Sequence, residues 1–215
     1  MEARVKLRTA KGRLKIEHRI IEGVHELLLE LLEANPDIRS IIDIGGQDSK
    51  AISLFENGKV KKFEMNDRCA AGTGKFLEIM AKTLGYDIEE FGRQALLAEN
   101  DLNISSMCTV FAESEVTSLI AKGNNRREIA RGLHASVIRR AAGMINRVSS
   151  EGDIVFTGGV AKNPSMVAFL AEKLDRRVLI PENPQFIGAL GAALLLQESL
   201  ESDRGSIPVQ KSSEH

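Results

Sequence analysis

Two cysteines stand in sequence contexts that suit the binding of a metal cluster. Cys69 lies in residues 66–76, NDRCAAGTGKF, a glycine-containing loop before a predicted helix, and Cys108 lies in residues 105–116, SSMCTVFAESEV, where another helix is predicted to begin. The N-terminus of a helix carries unpaired N–H groups and a partial positive charge, which stabilise a thiolate or a phosphate. Iron–sulfur clusters usually take four thiolates, so a symmetric pair of chains would supply a full set. The hypothesis is a cluster on a twofold axis.

The alternative interpretation is that both cysteines are small buried hydrophobic side chains. The first residues of the chain, MEARVKLRTAKGRLK, lack the apolar segment of a secretory signal. Two cysteines in such a chain do not make a disulfide framework. Composition leaves both interpretations open, and the sequence around each cysteine favours the ligand.

A second group of candidate residues lies in DIGGQDSK, residues 43–50, after a predicted strand. Asp43 at the end of the strand can hold Mg²⁺, and Asp48 lies on the same turn. The backbone N–H groups of Gly45 and Gly46 can meet phosphate oxygens, and Gln47 could orient a water molecule. The same residues also suit an ordinary tight turn between two strands, and this motif alone does not decide between the two.

A third turn, GGVAKN at residues 158–163, follows a predicted buried strand and opens a helix. Asn163 can cap that helix, and Pro164 suits its first position. Gly158 and Gly159 would let the backbone pass close to the α-phosphate or the adenosine of a nucleotide. A simple strand-to-helix turn explains the same residues, so this motif is also open when taken alone.

The elements that position these turns follow from hydrophobic periodicity and turn residues. Strands are predicted at 39–43, 51–56, 59–65, 153–157 and 177–180, and helices at 18–34, 74–84, 87–98, 109–121, 126–149 and 188–196, with a further helix after Asn163. The dipeptide Asn57-Gly58 indicates a tight hairpin. The order β-β-β, helical insertion, β-α-β-α predicts an α/β fold with a mixed sheet. This is the ribonuclease-H-like lobe, the half-unit of actin-like and sugar-kinase-like ATPases.

Length and composition set the expected organisation. The chain has 215 residues, and we expect an N-terminal arm and helix at 1–37, the lobe at 38–200 and a disordered tail at 201–215. The net charge of −1 gives no basic field for nucleic acid, and no apolar run reaches the roughly 18 residues of a membrane span. With 43 % hydrophobic and 27 % charged residues, the composition is typical of a soluble protein, expected in the cytoplasm.

Five segments taken together resemble one protein family. DIGGQDSK, NDRCAAGTGKF, SSMCTVFAESEV, FTGGVAKN and PQFIGALGAAL are similar, in the same order, to segments of the activator ATPases of (R)-2-hydroxyacyl-CoA dehydratases and the ATPase subunits of benzoyl-CoA reductase. The resemblance covers roughly residues 38–200. It implies a homodimer with an actin-like fold, bridged by one 4Fe-4S cluster whose ligands are Cys69 and Cys108 of each chain.

The resemblance also implies an activity. Family members use ATP hydrolysis to drive a low-potential electron from the cluster into a dehydratase or an aryl-CoA reductase partner, with reduced ferredoxin or flavodoxin as the electron source. The nucleotide is expected as ATP or ADP with Mg²⁺, and Asp43 and Gln47 are the expected catalytic residues. The expected nucleotide-binding residues are Gly45, Gly46 and Asp48 in the second phosphate motif, Gly72, Thr73 and Gly74 along the nucleotide, and Gly158, Gly159, Lys162 and Asn163 on the adenosine side.

One segment of the family pattern is not found in this sequence. Full-length members begin with a lobe whose opening strand carries a DxGSxxxK-type phosphate loop, and residues 1–37 contain no such loop. ATP hydrolysis is therefore expected if a first lobe is supplied, whereas ligation of the cluster does not need that loop. Two other functions stay open, a small-molecule kinase of the same superfamily and a non-catalytic nucleotide-binding or regulatory lobe.

Overall fold

The computed structural model describes residues 35–100, 102–104, 108–149 and 151–193. They contain strands β1 (Ile38–Ile44), β2 (Ser49–Leu54), β3 (Val60–Asn66), β4 (Asp153–Thr157) and β5 (Val178–Leu179). The helices are α1 (Gly74–Leu84), α2 (Ile88–Leu96), α3 (Thr109–Ala121), α4 (Arg126–Val148) and α5 (Pro164–Leu174). Short 3₁₀ helices span Gly159–Lys162 and Pro184–Phe186, and residues 187–193 are helical.

The five strands form one mixed sheet in the order β3-β2-β1-β4-β5. The first three pair antiparallel, whereas β4 pairs parallel to β1 and to β5. Short connections allow antiparallel neighbours, and the helical crossovers allow parallel ones, so chain order dictates this arrangement. The predicted mixed sheet is confirmed. The loop at Asn57-Gly58 is wider than a two-residue hairpin, because Phe55 N–H donates to the Lys59 carbonyl at 2.8 Å.

Helix α4 packs one side of the sheet and holds the other helices to it. It contacts β2 and β3 as well as α2 and α5. One apolar stripe of the helix faces the core: Ile129, Leu133, Val137, Ala141 and Met144 are buried, and Val148 is partly buried. The opposite face of the sheet carries a smaller cluster around Ile41 and Val155. The helix is therefore the scaffold on which the connecting loops are positioned.

The predicted boundaries of the described elements agree with the structure to within two residues, and the strand predicted at 51–56 lies two residues earlier, at Ser49–Leu54. Helices 74–84 and 109–121 and strand 153–157 are observed at the predicted residues, while α2 begins one residue later and ends two residues earlier than predicted. The arm, the helix at 18–34, the end of the helix at 188–196 and the tail lie outside the described residues, so those predictions and the three-part division stand as predictions. Within the described ranges, no helix is both long enough and apolar enough to cross a membrane.

Candidate functional site

The DIGGQDSK turn and the GGVAKN turn meet at the carboxyl ends of two adjacent parallel strands. Asp43 on β1 is the register partner of Thr157 on β4, and the Thr157 hydroxyl donates a hydrogen bond of 2.8 Å to Asp43 Oδ1. The residues after each strand are Gly45-Gly46 and Gly158-Gly159. In open α/β sheets, ligands bind outside the carboxyl ends of strands where the connectivity changes direction. This end of β1 and β4 is therefore the candidate ligand site.

The loop that carries Cys69 joins the same site through backbone hydrogen bonds. The N–H of Gly74 donates to the Gly45 carbonyl at 2.8 Å, and the N–H of Lys75 donates to the Gly46 carbonyl at 2.8 Å. A Cβ at Gly74 would lie 3.1 Å from the Gly45 oxygen and 3.2 Å from Val160 Cγ2. These two N–H groups were expected to be unpaired at the start of α1. That expectation is wrong, because the phosphate-type turn already accepts their hydrogen bonds.

Thr73 occupies the N-cap position of α1, but its side chain makes no capping hydrogen bond to the helix and points into the core. Its side chain is fully buried, and its hydroxyl donates to the Ala70 carbonyl at 2.6 Å. Gly72 has a φ of +102° and lies against Arg140, so its backbone conformation needs glycine. The roles of Gly72, Thr73 and Gly74 along a nucleotide stay predictions. Their observed contacts hold the cysteine loop against the turn.

The glycines of the two turns serve different purposes. Gly158 has a φ of +85°, and a Cβ there would lie 2.3 Å from the Ile44 carbonyl oxygen, so the fold itself demands glycine. Among the described residues, a Cβ at Gly46 or Gly159 would meet no atom within 4 Å, and neither φ is in the left-handed region. The protein's own packing does not require glycine at these two positions. Open space over the backbone is what a closely approaching ligand needs.

Asn163 is fixed by hydrogen bonds in two directions. Its Oδ1 accepts from the N–H groups of the second and third residues of α5, which confirms its predicted capping role. Its Nδ2 donates to Nε2 of His134 at 3.0 Å, and His134 Nδ1 then carries the proton and donates to the Ala130 carbonyl at 2.8 Å. Burial lowers the pKa of His134 from 6.5 to about 4, so the imidazole is neutral. The sequence analysis did not find this contact of His134.

Lys50 is a second residue of the site that sequence analysis missed. Its Nζ lies 2.7 Å from Asp48 Oδ2 and 3.7 Å from Asp43 Oδ2. A lysine inside an otherwise buried strand, two residues after an aspartate, was the signal that could have found it. The two carboxylates are therefore brought together, but around an ammonium group. The prediction that Asp43 holds Mg²⁺ stays a prediction, as do the nucleotide-binding role of Asp48 and the roles of Gln47 and Lys162.

The two cysteines differ in their surroundings. Cys108 is exposed at the N-cap of α3, whereas Cys69 is half-buried and packs against the core in the loop before α1. The Cys69 carbonyl accepts a hydrogen bond of 3.0 Å from Asn66 Nδ2. Val110 and Phe111, next to Cys108, are 67 % and 68 % exposed. The exposure of Cys108 and its apolar neighbours argues against an ordinary buried cysteine at this position.

The donor set of one chain is too small for a four-iron cluster by itself. The sequence contains two cysteines, and both are free thiols. In the part of the chain that the structure describes, no group of three or more His, Cys, Asp or Glu residues lies close enough together to hold a metal ion. Four thiolates would come from two chains, and the exposed position of Cys108 fits that arrangement.

Comparison with known proteins gives the family. The sequence profile of the BadF/BadG/BcrA/BcrD ATPase family matches residues 28–195. The chain belongs to this ATPase family. It is 50 % identical over 166 residues to the activator of lactoyl-CoA dehydratase of Anaerotignum propionicum, and 44 % identical over 170 residues to the 2-hydroxyisocaproyl-CoA dehydratase activator of Clostridioides difficile. These matches cover 77 % and 79 % of this chain and 64 % of each relative.

A solved structure confirms the fold of this family member. The activator of the 2-hydroxyisocaproyl-CoA dehydratase from Clostridium difficile with bound ADPNP superposes with a TM-score of 0.77 and 38 % identity, covering 89 % of this chain and 71 % of that one. The predicted actin-like ATPase fold is therefore correct. The resemblance stated from the motifs is also confirmed. The chain spans just under two thirds of the length of the two activators it matches in sequence.

Proposed function

We propose that this chain is the nucleotide- and cluster-binding lobe of an ATP-coupled electron donor. Two copies would hold one 4Fe-4S cluster between them and pass a low-potential electron to a dehydratase or aryl-CoA reductase partner, with reduced ferredoxin or flavodoxin as the source. The observation that carries the proposal is the meeting of two glycine turns at the ends of β1 and β4, with the start of α1, just after the Cys69 loop, bonded to one of them. The dehydratase-activator relatives support the same function.

The nucleotide side of the proposal uses the open backbone of the two turns. Gly46 and Gly159 would let phosphate and adenosine groups lie against the main chain, since none of the described residues comes within 4 Å of a Cβ placed at either glycine. Asp43 would hold Mg²⁺, which neutralises charge on the phosphates when bound. Gln47 would orient the attacking water. Lys162 and Asn163 would lie towards the adenosine, with Asn163 held by His134.

The cluster side of the proposal uses the two cysteines and the surface beside Cys108. Cys69 and Cys108 of each copy would be the four ligands. Val110 and Phe111 would be covered by the second copy, which explains two large apolar side chains in water at the start of α3. Because Gly74 and Lys75 are bonded to Gly45 and Gly46, a change in the turn on nucleotide binding would be passed to the loop of Cys69.

The first test is the iron and acid-labile sulfide content of anaerobically purified protein, together with its mass in solution. We expect about two irons and two sulfides per chain in a dimer, which is one shared 4Fe-4S cluster. Cys69→Ser and Cys108→Ser should each abolish the cluster and its visible absorbance. Ser114→Ala, on an exposed turn of α3, is the matched control and should keep both. A metal-free monomer would contradict the cluster and the homodimer.

The second test is nucleotide binding by thermal shift. Saturating ATP stabilises a true binder by about 2.7 kcal/mol at a hundredfold excess over Kd. A flat response would favour the non-catalytic lobe. Transfer of phosphate from ATP to an acceptor would favour the kinase, provided that the rate of transfer is unaltered when both Cys69 and Cys108 are replaced by serine. An ATP-dependent shift together with the shared cluster supports the electron donor.

A further inference from the structure

Lys50 is a nearly buried cation at the phosphate-type turn. Its side chain is 11 % exposed, and lysine is rarely buried to this degree unless its ammonium group is paired. It lies on β2 as the register partner of Asp43 on β1, and its Nζ reaches Asp48 on the turn between the two strands. The sheet register, rather than a flexible surface contact, places this charge between the two carboxylates.

The carboxylate oxygens that a metal ion would need are already engaged. Asp43 Oδ1 accepts from the Thr157 hydroxyl at 2.8 Å. Asp43 Oδ2 lies 3.7 Å from Lys50 Nζ, and Asp48 Oδ2 lies 2.7 Å from it. Three of the four oxygens thus have a partner within the protein. A divalent ion that arrives alone must displace an ammonium group that is already paired with both carboxylates. If the ion bound beside Lys50 Nζ instead, the two positive charges would repel each other.

We propose that Lys50 is a positioning residue that acts as the resident counter-ion of Asp43 and Asp48, and so reserves them for a Mg²⁺ ion that arrives with the nucleotide. This inference rests on the proposed nucleotide site and deepens it. In the free protein the ammonium group balances two like charges on one turn and keeps the turn in shape. The turn therefore keeps its shape without a metal ion, and it does not bind Mg²⁺ when no nucleotide is present.

The arrival of a nucleotide changes the charge balance. The phosphates bring negative charge to the ends of β1 and β4, together with their own Mg²⁺. The lysine ammonium is a point charge on a flexible stem with three donors, so it can turn from a carboxylate to a phosphate oxygen. That exchange would free carboxylate oxygens for the metal at the moment when the metal is present. Nucleotide and Mg²⁺ would then bind as one unit.

The test is a titration of the full chain with Mg²⁺ alone, with no nucleotide, followed by calorimetry and thermal shift. We expect the wild-type protein to show no saturable Mg²⁺ binding below roughly millimolar concentration. Lys50→Met, which keeps the length of the stem and removes the charge, should bind Mg²⁺ roughly tenfold more tightly or better. Lys50→Arg should behave as the wild type. Lys75→Met is the matched control, since that lysine is exposed and pairs with Glu78 instead.

Two further variants show whether the gained Mg²⁺ binding occurs at this turn, and they keep the test possible if Lys50→Met does not fold. Asp48→Asn in the Lys50→Met background should remove the gained Mg²⁺ binding, and persistence of that binding would overturn the assignment to this turn. Lys50→Gln serves in place of Lys50→Met if the latter does not fold. Tight Mg²⁺ binding by the wild-type protein, or no gain in the uncharged variants, would overturn the proposal.

The result is separable from the fate of the proposed function. No nucleotide is present in the titration, so the counter-ion role of Lys50 is read independently of ATP. A wild-type protein that excludes Mg²⁺ alone and yet gives a flat response to Mg·ATP would retain the counter-ion and reject the nucleotide site. A wild-type protein that binds both Mg²⁺ alone and Mg·ATP would retain the nucleotide site and reject the counter-ion role of Lys50.

Discussion

The buried imidazole of His134 makes the stability of this lobe depend on pH. His134 lies on α4 and packs against Phe91, with ring centroids 4.4 Å apart and ring planes tilted by 46°. It accepts the only hydrogen bond described for Asn163 Nδ2. Protonation would put a second proton on Nε2, directly facing that N–H donor. It would also bury a charge among aromatic rings. The folded state therefore favours the neutral form, and the perturbation we propose is acidification from pH 7 to pH 5.

The magnitude follows from the pKa of His134, which is about 4 in the folded protein against 6.5 in an unfolded chain. Above pH 6.5 both states are neutral, and the group contributes nothing to the pH dependence. Between pH 6.5 and pH 4 the unfolded chain takes up a proton and the folded chain does not, so stability falls as the pH falls. Each pKa unit corresponds to 1.36 kcal/mol, so the full loss is roughly 3 kcal/mol and the loss from pH 7 to pH 5 is about 2 kcal/mol.

The assay is urea unfolding of the wild type and of His134→Gln at both pH values. The glutamine oxygen can still accept from Asn163, but it does not titrate. Carboxylates elsewhere titrate equally in both proteins, so they cancel when the two are subtracted. We expect the free-energy advantage of the wild type to shrink by about 2 kcal/mol at pH 5. An advantage that is the same at both pH values would refute the buried neutral imidazole and its hydrogen bond to Asn163.

Two further predictions concern the turns and the sheet edge. Gly158→Ala should lower the free energy of unfolding by about 2 kcal/mol or more, because Gly158 has a positive φ and lies close to the Ile44 carbonyl. Gly159→Ala should leave the melting temperature of the free protein unchanged but abolish the increase that ATP causes. A nucleotide shift retained in Gly159→Ala would contradict close approach at that position. Glu64 accepts hydrogen bonds of 2.5 and 2.6 Å from Arg147, which lower the pKa of that carboxyl. Glu64→Gln should lower the free energy of unfolding, measured with urea, by at most about 1 kcal/mol, and by less in high salt. The difference between the variant and the wild type should vanish as the pH falls through the lowered pKa of Glu64. An effect that salt does not weaken would argue against the ion pair.

Local signals in the sequence predicted the elements well. Asn163 followed by Pro164 marks the start of α5, and the apolar stripe of α4 marks the side that covers the sheet. Both signals depend on neighbours within a few residues, where capping geometry and the helical period decide the structure. The family and its fold were also predictable, because several short motifs in one order are far more specific than any one of them.

Contacts between distant residues were not predictable from those signals. Lys50 meets Asp43 through the register of two strands, and His134 meets Asn163 across 29 residues. The pairing of His134 with Asn163 leaves no local pattern, since a histidine in a helix is interpreted first as a core residue. The local signal for Lys50, a lysine in an apolar strand close after an aspartate, does not show that the side chain also reaches Asp43. The expectation of unpaired N–H groups at the start of α1 was wrong for the same reason. Their acceptors, the carbonyls of Gly45 and Gly46, come from a turn that is remote in the chain.

That last contact bears on how a nucleotide and a cluster could act together in this lobe. The start of α1, just after the Cys69 loop, is bonded directly to the DIGGQDSK turn, because the N–H groups of Gly74 and Lys75 donate to the carbonyls of Gly45 and Gly46. Gly74 fits against Gly45 and Val160 with little spare room, so the three turns form one close-packed unit. Close-packed groups shift together rather than separately. A nucleotide that moved either glycine turn would therefore also move the loop of Cys69, and this is the mechanical link that the proposed electron donor requires.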